Sequence, residues 1–162
     1  MYGIIGGLTP QKSDCGRLCA RACCRGDKDG DGMYLFPKEE ECYGKLPKWA
    51  SISPTDIKGI KLFSCDGHCE RSLRPLSCRI FPLAPYNGGK VIIDPRARAI
   101  CPLAREFCMS DFDADFVAAV RVVTKMMMKN SLCRNFIKVQ SAIFDTLDFL
   151  GENDTDDNET TN

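Results

Sequence analysis

A single histidine stands in a chain of 162 residues. With only His68 to serve as a base, the sequence supports no Ser–His or Cys–His catalytic arrangement. Long apolar runs are missing too: nothing approaches the roughly 18 consecutive apolar residues of a membrane-spanning helix. The opening segment, MYGIIGGLTP, has no basic flank, and its apolar run is too short for a signal peptide. The chain is therefore expected in the cytoplasm, with no membrane partner. Gly3, Gly6 and Gly7 precede no Lys-Ser/Thr pair, so they form no phosphate loop.

Net charge is also lacking. The 22 basic and 22 acidic side chains cancel. The last twelve residues hold five of the acids and no base, which leaves positions 1–150 with a charge of +5. That charge is mild and scattered, whereas a nucleic-acid partner calls for clustered Lys and Arg, so nucleic acid is disfavoured. Residues 151–162 read as a solvated, disordered acidic tail. With 44% hydrophobic residues the remainder has enough apolar material for a core.

Cysteine is plentiful, with eleven in all. Disulfides need an oxidising compartment, and an odd count fits complete pairing badly. Cys42, Cys108 and Cys133 stand alone and read as small buried hydrophobes. The other eight are clustered, and metal ligation is the reading that explains them. They are Cys15, Cys19, Cys23 and Cys24 in one group, and Cys65, Cys69, Cys78 and Cys101 in another.

Residues 11–24 are expected to form a short helix capped by Ser13 or Asp14. On an intact helix Cys15 and Cys23 lie about 12 Å apart along the axis. Two thiolates on one zinc lie within about 4.6 Å of each other. The first three cysteines therefore share one mononuclear site only if the helix breaks. Otherwise neighbours chelate in pairs, or a larger cluster spans the gap. Cys24 points around the helix from Cys23 and is free to serve a second metal. In the second group, Cys65-Asp-Gly-His-Cys69 has a glycine that permits a tight two-thiolate loop. Cys101-Pro102 fits a helix start, where the helix dipole favours a thiolate. Eight thiols suffice for two four-coordinate zinc sites, or for one four-iron cluster with four to spare. Arg74 and Arg79 flank Cys78 and are expected to offset thiolate charge. His68 reads as a surface residue or as a support for a ligand, with direct ligation the alternative.

Elsewhere, Asp27-Lys28-Asp29-Gly30-Asp31-Gly32 copies the start of a calcium loop. The glutamate needed at the twelfth position is replaced by Lys38, so a polar turn is the better reading. Strands are expected around Met33–Phe36, once within 44–60, and at Lys90–Asp94 after an Asn-Gly-Gly turn. Residues 61–83 read as irregular. From Ser110 or Asp111 as cap, Phe112, Phe116, Val120, Val123 and Met127 follow helical spacing, and Met126–Met128 read as core. Leu132, Phe136, Val139, Ile143, Leu147 and Leu150 mark a second helix, with Asn130–Ser131 as the turn and Gly151 as the stop.

Cys19–Cys24, the loop with Met33-Tyr34-Leu35, Cys65 and Cys69, Arg74-Pro75, Cys78-Arg79-Ile80-Phe81-Pro82 and Cys101 together resemble a known family. It is the zinc- or iron-chelating cysteine-cluster family of YkgJ type, with its CxxCxxCC domain. The resemblance covers roughly residues 15–105, and here the first run is spaced CxxxCxxxCC. It implies a cysteine-held metal, and a related domain occurs in flagellin lysine N-methylases. The expected fold is thus α+β: a small irregular metal-stabilised cysteine-cluster domain over 1–110, a helical hairpin over 111–150, and the tail. The expected function is metal binding with a structural or electron-transfer role, alone or beside a protein partner, using zinc or a [4Fe–4S] cluster. The alternative is an enzyme, either an iron–sulfur oxidoreductase or a protein-lysine methyltransferase of the flagellin type.

Overall fold

Eight of the nine prolines fall between positions 37 and 102, and they cut that stretch into short elements. The computed structural model describes residues 1–25, 31–67 and 69–156, with side chains described as far as residue 147. The readings of Asp27–Gly30, His68, the Leu150 side chain and the last six residues lie outside it.

The elements run α1 (Tyr2–Ile5), α2 (Cys15–Leu18), β1 (Met33–Tyr34), β2 (Ala50–Pro54), β3 (Lys61–Cys65) and α3 (Leu76–Ile80). They continue with β4 (Leu83–Tyr86), β5 (Lys90–Ile93), α4 (Ala97–Ile100), α5 (Pro102–Glu106), α6 (Ala114–Met128) and α7 (Ser131–Asp156). The fold is α+β, as expected. Among the described residues no helix is long and apolar enough to cross a membrane.

β3 is the central strand of an antiparallel sheet ordered β1-β3-β2, with Met33 opposite Phe63 and Ala50 opposite Cys65. The expected irregular stretch 61–83 thus holds a central strand and a helix. Its cysteines, glycine and prolines mask a run, Lys61–Cys65, whose Phe63 and Ser64 are buried. β4 and β5 form a hairpin with Leu83 opposite Ile93. Its turn places Gly88 and Gly89 at φ 72° and 79°, a region that side-chain-bearing residues avoid.

α6 starts later than expected. Asp113 is the cap, its Oδ1 accepting from Phe116 N at 3.0 Å, while Ser110 and Asp111 belong to a preceding 3₁₀ turn. Phe112, Phe116, Val120, Val123 and Met127 are buried as the spacing implies, but Met126 is exposed. Asn130 caps α7 by accepting from Leu132 N and Cys133 N. The buried face of α7 is Cys133, Phe136, Ile137, Gln140, Ser141 and Phe144. Leu132, Val139 and Leu147 face out, so the expected stripe is rotated about one position from the true one. Gln140 and Ser141 lie on the inner face, and a hydropathy pattern skips them. The helix also passes through Gly151 to Asp156, where a stop and a disordered tail were expected. Glycine costs a helix about 1 kcal/mol, too little to end it without a left-handed cap.

One core joins the two halves of the chain. Ile5, Phe36, Leu76, Ile80 and Leu83 cluster with Phe116, Val120, Val123, Met127, Phe136 and Ile137. Each fully buried residue of this size contributes about 1.5–3 kcal/mol from burial. Glu39 fastens the thiol-bearing half to this core. Its buried carboxylate accepts from Phe36 N at 2.8 Å, Leu76 N at 2.6 Å and the Tyr2 hydroxyl.

Candidate metal centre

The first cysteine group does not lie on one helix. α2 ends at Leu18, and Ala20 and Arg21 adopt left-handed backbone at φ 48° and 58°. A 3₁₀ turn, Ala22–Cys24, follows. The helix breaks, which is one of the routes by which distant thiols of this run can gather. Asp14 is the cap of α2, its side chain accepting from Gly16 N at 3.1 Å. The kink leaves Cys19 Sγ donating to Cys15 O at 3.5 Å and Cys23 Sγ 4.0 Å from Cys24 Sγ.

Cys65 ends β3, and Gly67 turns the chain at φ +84°. A Cβ at Gly67 would collide with the carbonyl oxygen of Cys24, so glycine is what lets the Cys65–Cys69 loop close on the 3₁₀ turn. Cys78 lies on α3 between Leu76 and Ile80, which face the core. Cys101 is the N-cap of α5 with Pro102 at the first helical position, as expected, and it is buried.

All eight expected site cysteines line two adjoining cavities. The larger, about 320 Å³, is bordered by Cys23, Cys24, Cys65, Cys69 and Cys78, with Phe63, Phe81 and Arg74. The smaller, about 90 Å³, is bordered by Cys15, Cys19, Cys23, Cys24, Cys78 and Cys101. Arg21, Arg71, Arg74 and Arg79 also edge the smaller cavity. As the side chains stand, no group of three or more Cys, His, Asp or Glu among the described residues is close enough to hold an ion. The thiols line the space without clasping a point within it. All eleven cysteines are free thiols.

The electrostatics are those of crowded, partly desolvated sulfur. Burial pushes the Cys78 thiol well above its ordinary value, and Cys69, Cys24 and Cys65 add to the shift while Arg74 opposes it. Burial likewise raises Cys65 and Cys15. Cys24 is pulled the other way: the adjacent Cys23 thiol, Arg74 and Arg21 favour its anion against the cost of burial. Contact with Cys24 and burial push Cys23 up.

Of the two expected guanidinium groups, one addresses sulfur. Arg74 Nε donates to Cys69 Sγ at 3.2 Å. Arg79 instead donates to Arg74 O at 2.9 Å and Ser72 O at 2.8 Å and stacks on the Tyr2 ring. Arg71, which no sequence signal marked, holds Leu8 O through Nη2 at 2.5 Å and borders the smaller cavity. Two of the three lone cysteines differ from expectation. Cys133 is buried, but Cys42 and Cys108 are exposed. Cys108 is a local cap, its Sγ donating to Asp111 Oδ2 at 2.9 Å.

The fold and this cleft define a small α+β protein built around a cluster of free thiols. No protein-family model, curated protein or solved structure matches the chain.

Proposed function

We propose that this chain is a cysteine-ligated metal-binding protein of the cytoplasm, holding zinc or an iron–sulfur cluster in a structural or electron-transfer role. One observation carries the reading: eight thiols from four separated stretches of the chain line two contiguous cavities. Chance burial of apolar cysteines would scatter them through the core, as it does Cys133. The donor set fits soft metals, since zinc and iron–sulfur clusters both accept all-thiolate shells. The resemblance to the YkgJ-type cysteine-cluster family points the same way.

The protein's share of the chemistry follows from its side chains. Arg21, Arg71 and Arg74 offset thiolate charge, and Arg74 holds Cys69 in place. When bound, zinc would brace this loop-rich half, whereas a cluster would carry electrons. Ligation draws sulfurs from a cavity lining to a common centre, which is how binding energy becomes folding energy.

Anaerobic purification followed by metal analysis and a visible spectrum tests the proposal. Colourless protein with stoichiometric zinc removes the iron reading, and brown, oxygen-labile protein removes structural zinc. A metal-free chain that is fully folded overturns the proposal itself.

A further inference from the structure

Resting on that reading, we infer that the chain holds two separate four-thiolate centres, and that the division falls between the consecutive residues Cys23 and Cys24. One centre takes Cys24, Cys65, Cys69 and Cys78. The other takes Cys15, Cys19, Cys23 and Cys101.

Five of the eight assignments follow from the cavities. Cys65 and Cys69 border only the larger, and Cys15, Cys19 and Cys101 border only the smaller. Cys23, Cys24 and Cys78 lie on the wall between the two, and their neighbours place them. Cys78 has Cys69, Cys24 and Cys65 as its interacting thiols. Cys24 also faces Cys65, and its carbonyl abuts Gly67 in the Cys65–Cys69 loop. Cys23, apart from the adjoining Cys24, interacts with Cys15 and Cys101.

Local backbone explains how neighbours in sequence serve different centres. In a 3₁₀ turn successive side chains project about 120° apart. Within Ala22–Cys24 the two sulfurs leave the backbone in different directions, and both border the two cavities. The left-handed step at Ala20 and Arg21 turns this segment away from the axis of α2. Each set has the four thiolates that closed zinc sites and cubane clusters require. Each also has its own guanidinium: Arg74 donates to Cys69 in one, and Arg71 is the cation that favours the Cys15 thiolate in the other.

Native mass spectrometry of the anaerobically purified full chain reads the number and mass of bound groups directly. Two bound groups are expected in the unaltered protein. Cys69→Ser is expected to lose one and keep the other, and Cys15→Ser to show the reverse. A single bound group, or loss of the same group in both variants, overturns the division while leaving metal binding intact. No bound group in the unaltered protein overturns the functional reading beneath it. A second measurement avoids variants that fail to fold. Thiol alkylation of the unaltered protein during graded chelator treatment is mapped by peptide mass. The expected result is protection of all eight thiols at the outset and release in two sets of four, divided between Cys23 and Cys24. Protection of only four, or release of all eight as one set, overturns the inference.

Discussion

Arg74 donates through Nε to the sulfur of Cys69, five residues earlier, at 3.2 Å. A guanidinium that binds a thiolate both orients it and lowers the cost of its charge in a partly desolvated cavity. Partners of this kind are typically worth about 10–100-fold in metal affinity. Arg74→Ala is expected to weaken binding by that order in competition with a chromogenic chelator. Arg79→Ala, whose bonds run to backbone carbonyls and the Tyr2 ring, should lower thermal stability more than affinity.

The left-handed pair Ala20–Arg21 is a backbone prediction. A non-glycine residue there costs about 1–2 kcal/mol. Ala20→Gly should therefore raise the free energy of unfolding by about 1 kcal/mol in denaturant titration. Ala20→Val, a β-branched residue at φ 48°, should lower it and also reduce metal content, because straightening the kink carries Cys23 away from Cys15.

Glu39 gives the fold a pH signature. Burial raises its pKa above the ordinary 4.5, against the bonds from Leu76, Tyr2 and Phe36. The raised folded-state value means the fold favours the protonated form. That stabilisation is full below about pH 4.5 and is lost as pH rises through the folded-state pKa. Glu39→Gln should flatten the dependence in that window. Glu39→Ala, which strands the Phe36 and Leu76 amides, should cost at least about 2 kcal/mol at neutral pH.

Cysteine substitutions separate ligands from packing. Cys65→Ser and Cys78→Ser should lose metal and stability together. Cys133 borders neither cavity, so Cys133→Ser should keep the metal. Its burial beside Phe136 and Ile137 predicts a stability loss of about 1–3 kcal/mol with full metal content, read by calorimetry and metal analysis.

The sequence made legible which thiols border the two cavities but not how they are arranged there. Their grouping along the chain, together with the resemblance to the cysteine-cluster family, set the eight thiols apart from the lone Cys42, Cys108 and Cys133. The helix over 11–24 was misread because its residues have acceptable helical propensity, and nothing in Ala20 or Arg21 announces positive φ. β3 was hidden because Cys65 and Gly67 read as a loop when only the last residue of the strand belongs to it. The α7 stripe slipped by one position because Gln140 and Ser141 are buried by tertiary packing, which hydropathy does not register. Gly67 was marked as loop-permitting, but its service to Cys24 depends on a neighbour more than forty residues away in the chain.

α3 couples the two halves mechanically. Leu76 and Ile80 anchor one side of this single helical turn in the apolar interior, while Cys78 reaches out on the other toward the sulfur pocket. A pull on that sulfur acts on a short lever whose fulcrum is the packed interior. Filling or emptying the pocket should therefore alter side-chain mobility around Phe116 and Phe136, which share that interior with Leu76 and Ile80.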